Sequence, residues 1–146
     1  MGRDRTGLLF ANPEIIKKLK EEGRDIVAVC GHYNNWEWMI GTTLFTDIKC
    51  VTIYKPLKNK QFDWFVNNLR SKKGFFLTPM SNIVREILTD RGNSINALYA
   101  FISDQTPAKG DIKYWTQFLN QETPVYLGPE RIATKYDMAV LFFSNR

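Results

Sequence analysis

The sequence predicts an α/β domain with a mostly parallel central sheet flanked by helices. Short uninterrupted apolar runs alternate along the chain with segments of helical period, and each run ends in a polar loop. Strands separated by helices pair in parallel through crossovers, and strands buried on both faces read as continuous apolar stretches.

The elements follow in order. Asn12-Pro13-Glu14, then Ile15, Ile16 and Leu19, then Gly23, reads as a helix with Asn as its cap, Pro in its first turn and Gly at its left-handed exit. Ile26 to Cys30 is a doubly buried strand. After the loop Gly31-His32-Tyr33-Asn34-Asn35, residues Trp36, Met39, Ile40, Thr43 and Leu44 recur at helical spacing. A second strand is expected over residues 49–54, ending at Lys55-Pro56. Phe62, Phe65, Val66 and Leu69 then fall at i, i+3, i+4 and i+7, which predicts a helix with these four side chains against the core. Pro79-Met80-Ser81 opens a helix with Ile83, Val84, Ile87 and Leu88 inward, and residues 98–103 form a third strand, ending at Asp104-Gln105. Gly128-Pro129-Glu130 starts a helix through Tyr136, and residues 138–143 form a fourth strand. In sheets of this kind ligands bind at the carboxyl ends of strands, so the polar stretches after the first three strands are where chemistry is expected.

A chain of 146 residues, 44% hydrophobic and 24% charged, has the material for one core and one domain. Its longest apolar runs are far too short to span a bilayer, and no signal-peptide pattern opens it. Cys30 and Cys50 lie in apolar runs without zinc-ligand spacing, which reads as two buried free thiols; a Cys30 nucleophile paired with His32 is the alternative. No metal site and no cofactor is expected. Between Lys55 and Lys73 six basic residues face Asp63 alone, a net of +5 that equals the formal charge of the whole protein. That patch suits a negative partner, although a solvated helix face has the same composition. Lysines beside aromatics and a pI near 9.2 raise the possibility of nucleic acid, but no nucleic-acid motif accompanies them, and none is expected as partner.

The chemistry-bearing pattern is His32, the single histidine, two residues past the first strand, followed by Glu37. A reaction that activates a hydroxyl needs a base for its proton, and imidazole accepts one near neutrality. A carboxylate on the other ring nitrogen would select the tautomer, as in a hydrolase triad. A substrate hydroxyl as the nucleophile would suit a sequence without a Gly-x-Ser-x-Gly elbow.

Gly31-His32-Tyr33-Asn34-Asn35-Trp36-Glu37-Trp38 resembles the His-x4-Asp/Glu motif of the lysophospholipid acyltransferase superfamily, specifically the lipid A biosynthesis (lauroyl/myristoyl) acyltransferases, where it usually reads GHxGNWE. Tyr54-Lys55-Pro56-Leu57-Lys58-Asn59 is similar to that family's YRPxxN block, and Leu69-Arg70-Ser71-Lys72-Lys73-Gly74 to its Arg-rich segment. Ser103-Asp104-Gln105 resembles its ADQ block, while Trp115 to Leu119, then Thr123 and Gly128-Pro129-Glu130-Arg131, resemble its VPFFG and TGPAR segments. Asn34 and Asn120 stand where Gly is usual, and Lys55 and Lys72 where Arg is usual; Lys keeps the charge but gives up bidentate phosphate recognition.

The resemblance implies a lysophospholipid acyltransferase-like fold and a catalytic pair, His32 as general base oriented by Glu37. It also implies an acyl carrier protein thioester as donor, a hydroxyl of a lipid A precursor as acceptor, and work at the cytoplasmic face of the bacterial inner membrane against an anionic surface. Tyr54, Lys55, Arg70 and Lys72 are the candidates for acceptor phosphate or carrier; Asp104 and Gln105 could line the same cleft, or Asp104 could cap a turn. Arg131 is a candidate for a substrate anion. The family usually places a hydrophobic anchor ahead of the His motif, so residues 1–146 read as one catalytic domain lacking that anchor and a C-terminal end. A non-catalytic lipid-binding module of the same fold, or an acyltransferase for another glycolipid or phospholipid, stays open, as does acyl-chain length.

Overall fold

A computed structural model describes residues 2–3, 9–72 and 74–144. Strands β1 (Gly2–Arg3) and β2 (Leu9–Phe10) form a small antiparallel pair ahead of helix α1 (Pro13–Glu21). Next come β3 (Ile26–Cys30), a 3-10 segment (Trp36–Leu44), β4 (Lys49–Tyr54) and α2 (Lys60–Ser71). These lead to β5 (Phe76–Pro79), a short 3-10 turn (Met80–Asn82), α3 (Ile83–Gly92) and β6 (Ala97–Ile102). A hairpin of β7 (Trp115–Phe118) and β8 (Gln121–Pro124) precedes α4 (Gly128–Tyr136) and β9 (Ala139–Phe142). The central sheet has five strands in the order β5-β4-β6-β3-β9, every recorded pairing parallel, so the expected α/β class holds.

Strand alternation divides the core between the two faces of the sheet. Val27, Val51, Ile53, Tyr99 and Phe101 meet Ile83 and Ile87 of α3 and Ala133 of α4. Their neighbours Ile26, Ala28, Cys50, Leu98 and Ala100 meet Ile16 of α1, Phe75 and, from the 3-10 segment, Met39. The connection leaving β3 therefore packs on one face, while α4, in the connection leaving β6, packs on the other. Because β3 and β6 are adjacent, a crevice opens between their carboxyl ends, the place where such sheets bind ligands.

The amino ends of the strands are closed by a buried polar cluster. Lys49 Nζ donates to Asp90 Oδ1 at 2.6 Å and to Glu86 Oε1 at 2.8 Å, and the Tyr99 hydroxyl donates to Asp90 Oδ2 at 2.9 Å. Arg91 Nε reaches Asp25 Oδ2 at 2.8 Å, while Asp25 Oδ1 accepts the Ala97 amide. Among the described residues no buried side-chain nitrogen or oxygen lacks a partner.

Several elements differ from the sequence reading. The segment after His32 is a 3-10 helix, not an α-helix; Gly41-Thr42-Thr43 are poor helix formers, and Thr42 is buried with its carbonyl accepting from Thr46. The Asn12 side chain makes no capping bond, whereas Gly23 does take the left-handed exit at φ +69°. Strand β5 and the β7–β8 hairpin were not anticipated, being short and polar or half-exposed. In α3 Ile83 and Ile87 are buried, but Val84 and Leu88 are exposed. Helix α2 forms where expected but buries none of its side chains; Phe62, Phe65 and Leu69 are each at least half exposed. Lys73 of the basic run, and the side chains of Trp36 and Ile40, lie outside the described residues.

Candidate active site

His32 follows β3 and Asp104 follows β6, so the pairing of these strands brings together residues 72 positions apart. The last register pair is Cys30 with Ile102, and the Ser103 amide still donates to the Cys30 carbonyl at 3.0 Å, which holds the two loop starts side by side. Asp104 then grips His32 twice. Its Oδ2 accepts the His32 backbone N–H at 2.7 Å, and its Oδ1 lies 2.8 Å from Nδ1 of the ring. With the proton on Nδ1 that contact is a charge-assisted hydrogen bond, and Nε2 is left with its lone pair.

Burial of Asp104 works to raise its pKa, but the His32 backbone N–H, followed by its ring, outweighs this and holds the carboxyl below its ordinary value. Gly31 makes the approach possible. A Cβ at this position would stand 2.9 Å from Asp104 Oδ2 and 3.2 Å from its Cγ, closer than side chains pack.

The ring partner expected from spacing was Glu37; the carboxylate on Nδ1 is that of Asp104. Glu37, in the first turn of the 3-10 segment, receives the Arg70 guanidinium of α2 through Nη2 to Oε1 and, at 3.4 Å, Nε to Oε2. The difference has a physical reason. A helix start carries Glu37 toward the sheet face that holds Met39, where Arg70 offers a full charge with a planar fork, whereas β6 delivers Asp104 directly beside the β3 loop.

Two openings adjoin this corner. One is an apolar pocket lined by Cys30, Met39, Thr52, Phe75, Ala100 and Ile102, with Glu37 and Arg70 as its charged walls; at about 30 Å³ it has room for one water, so a larger guest has to move side chains such as Met39. The other, about 400 Å³, runs past Gly31, Tyr33, Ser103, Asp104 and Phe143. Cys30 lines both, and burial, assisted by the Asp104 charge, pushes its thiol up to about 11. A protonated thiol is a poor nucleophile, which removes support from the Cys30 alternative.

The structure thus joins His32 with Asp104 and Glu37 with Arg70. Tyr54 ends β4 half-buried, while Lys55, Lys72 and Gln105 are exposed and Arg131 points to solvent from α4. Those five join neither pair among the described residues. The sequence reading gave no site role to the pocket-lining Met39, Thr52, Phe75 and Ala100; strand parity with Cys50 and Leu98 marks Thr52 and Ala100, and helical spacing marks Met39 as apolar, but nothing local marks Phe75. Among the described residues no three His, Cys, Asp or Glu side chains converge as a metal site, and no helix is long and apolar enough to cross a membrane.

Two departures from the family pattern are explained by backbone geometry. Asn34 has φ +56° and Asn120 φ +60°, the left-handed region for which Gly is the usual solution and Asn the best tolerated substitute. Asn120 forms, with Leu119 at φ +49°, the two-residue turn between β7 and β8.

Fold and site define a class: a parallel α/β domain presenting a carboxylate-held imidazole beside an apolar pocket, at the end of the sheet where such domains act. The chain belongs to the bacterial lipid A biosynthesis acyltransferase family, whose model matches residues 4–145. Family membership brings an acyl donor and a lipid acceptor as substrate classes. No curated protein matches the sequence.

Proposed function

We propose that this protein transfers a fatty acyl group from an acyl carrier protein thioester to a hydroxyl of a lipid A precursor, at the cytoplasmic face of the inner membrane, with His32 as the general base. The observation that carries the reading is the double contact of Asp104 with His32. A carboxylate on Nδ1 selects the tautomer whose Nε2 can accept a proton and stabilises the imidazolium that results.

In the reaction Nε2 removes the acceptor's hydroxyl proton as its oxygen bonds to the thioester carbonyl carbon. Collapse of the tetrahedral intermediate breaks the carbon–sulfur bond, and the imidazolium returns the proton to the departing thiolate, giving an ester and a thiol. Glu37 is the second catalytic candidate, held by Arg70 in the wall of the apolar pocket next to the imidazole loop. Apolar lining suits the first carbons of an acyl chain, and two openings that share Cys30 at the end of β3 suit a two-substrate transfer. Tyr54, Lys55 and Lys72, with Gln105 and Arg131, are the groups proposed to meet acceptor phosphate or the acidic carrier.

The test is an assay with acyl carrier protein thioesters of several chain lengths and a lipid A precursor in mixed micelles. Wild type should form product, and His32→Ala, shown folded by circular dichroism, should lose about two to four decades of rate. A folded His32→Ala protein with undiminished turnover would refute the assignment.

A further inference from the structure

Helix α2 is amphipathic, yet it sits on the protein through the wrong side. Asp63, Asn67 and Arg70, at i, i+4 and i+7, form one stripe, and each is engaged. Asp63 Oδ1 accepts the Leu57 amide at 2.8 Å, its Oδ2 accepts from Asn67 at 3.2 Å, and Arg70 holds Glu37. The apolar stripe lies more than a third of a turn away, where Phe62 is 56%, Phe65 51% and Leu69 50% exposed. The rings of Phe62 and Phe65 are stacked with centroids 6.4 Å apart, so the stripe is a continuous surface. Leu57 before the helix and Trp64 within it are exposed as well. A helix that used this stripe for folding would bury it.

Lys55, Lys58, Lys60 and Lys72 stand exposed before, at the start of and just past the same helix, with Asp63 as the one acidic residue between them. An apolar stripe flanked by lysines is the composition of a segment lying in a membrane interface: rings and leucine enter the acyl boundary and ammonium groups meet phosphate. The inner stripe of α2 also reaches the pocket, since Arg70 is part of its wall. A surface that docks through the outer stripe brings that pocket next to the phase in which a lipid substrate is dissolved.

We infer that α2 is a membrane-docking helix, with Phe62, Phe65 and Leu69 as the inserted side chains, Lys58, Lys60 and Lys72 as the contacts to phosphate, and an anionic phospholipid bilayer as the occupant. The inference rests on the acyl-transfer reading only for its purpose, the delivery of lipid to the His32 crevice; the docking itself is testable alone.

The experiment is co-sedimentation of the full chain with vesicles of phosphatidylcholine, or of phosphatidylcholine with phosphatidylglycerol. Binding to the anionic vesicles is expected, weaker on neutral ones and weakened by added salt. Phe62→Ser/Phe65→Ser/Leu69→Ser should lower partitioning by roughly tenfold or more, the equivalent of burying one apolar side chain. Lys58→Gln/Lys60→Gln/Lys72→Gln should lower it on anionic vesicles alone. All three apolar sites are exposed, so the variants should keep the wild-type circular dichroism spectrum. Leu119→Ser, at a still more exposed leucine on the hairpin turn, and His32→Ala should bind as wild type. Unchanged binding by the folded stripe variant, equal loss with Leu119→Ser, or a wild type that ignores both vesicles would overturn the inference. So would loss of binding to acyl carrier protein in place of vesicles, which would give the stripe to the donor. Intact, stripe-dependent docking in a protein that transfers no acyl group would leave docking standing and count against the acyl-transfer reading.

Discussion

Replacing Asp104 by Asn changes one atom, and the two contacts of the side chain let its consequence be worked out. The carboxylate offers an acceptor to the His32 amide at 2.7 Å and a second to Nδ1 at 2.8 Å; a carboxamide offers one. If its oxygen stays with the backbone N–H, its NH2 faces Nδ1, which then accepts, and the ring proton moves to Nε2, the nitrogen proposed as the base. If the amide turns over, two donors meet at the backbone. The first arrangement is the cheaper, so Asp104→Asn should fold, bind substrate and hold the wrong tautomer. In a buried serine-protease triad the corresponding exchange costs about 10⁴-fold in kcat. Here the Asp104 side chain is 43% exposed, and water can take over part of its role, so the expected loss in kcat is about 10²-fold to 10⁴-fold with KM little changed. The assay is steady-state acyl transfer, with circular dichroism as the folding control. A folded Asp104→Asn enzyme within threefold of wild type, beside a Glu37→Gln enzyme that is dead, would refute this reasoning and make Glu37 the orienting carboxylate.

Other consequences concern the same corner and the opposite end of the sheet. Gly31→Ala places a methyl 2.9 Å from Asp104 Oδ2 and should push the carboxylate off His32, lowering kcat by roughly 10²-fold with a smaller effect on thermal stability; unchanged kcat would show that the loops yield freely. Lys49→Met leaves Asp90, 2% exposed, without its cation and should destabilise the fold by about 3–5 kcal/mol in urea titration, with no direct effect on the distant His32–Asp104 corner. The native pKa of Asp104 is held below its unfolded value, so its ionisation contributes stability that is present above about pH 4 and is lost as pH falls through the lower native value. Urea unfolding of wild type should therefore weaken more steeply below pH 4 than that of Asp104→Asn.

Much of this was legible in the sequence because it is local. The run Ile26 to Cys30 is apolar at every position, and the only place for such a strand is between two covered faces; the sheet puts it between β6 and β9. Lys49 to Tyr54 and Gly128 to Tyr136 carry their own boundary signals, Pro56 after the strand and Gly128-Pro129 at the helix start, and their observed bounds coincide with the reading. His32 was singled out by its place after the first strand, and the family resemblance by short ordered motifs, both of which survive without tertiary information. Asn34 and Asn120 kept a left-handed backbone under a different residue, which a string of letters shows only as a departure.

Tertiary structure alone decided which side chains meet. Glu37 stands five positions from His32 and Asp104 stands 72, yet strand pairing, which joins segments regardless of their distance along the chain, made Asp104 the partner of the ring. The orientation of α2 was equally beyond reach. Period 3.6 declares that a helix has an apolar face but not what that face will touch; here Asp63 and Asn67 bond within the helix and its lead-in, Arg70 of the same stripe reaches Glu37, and Phe62 and Phe65 stay at least half exposed. Periodicity is a property of one segment, whereas the partner of each face is settled by the other segments that arrive beside it.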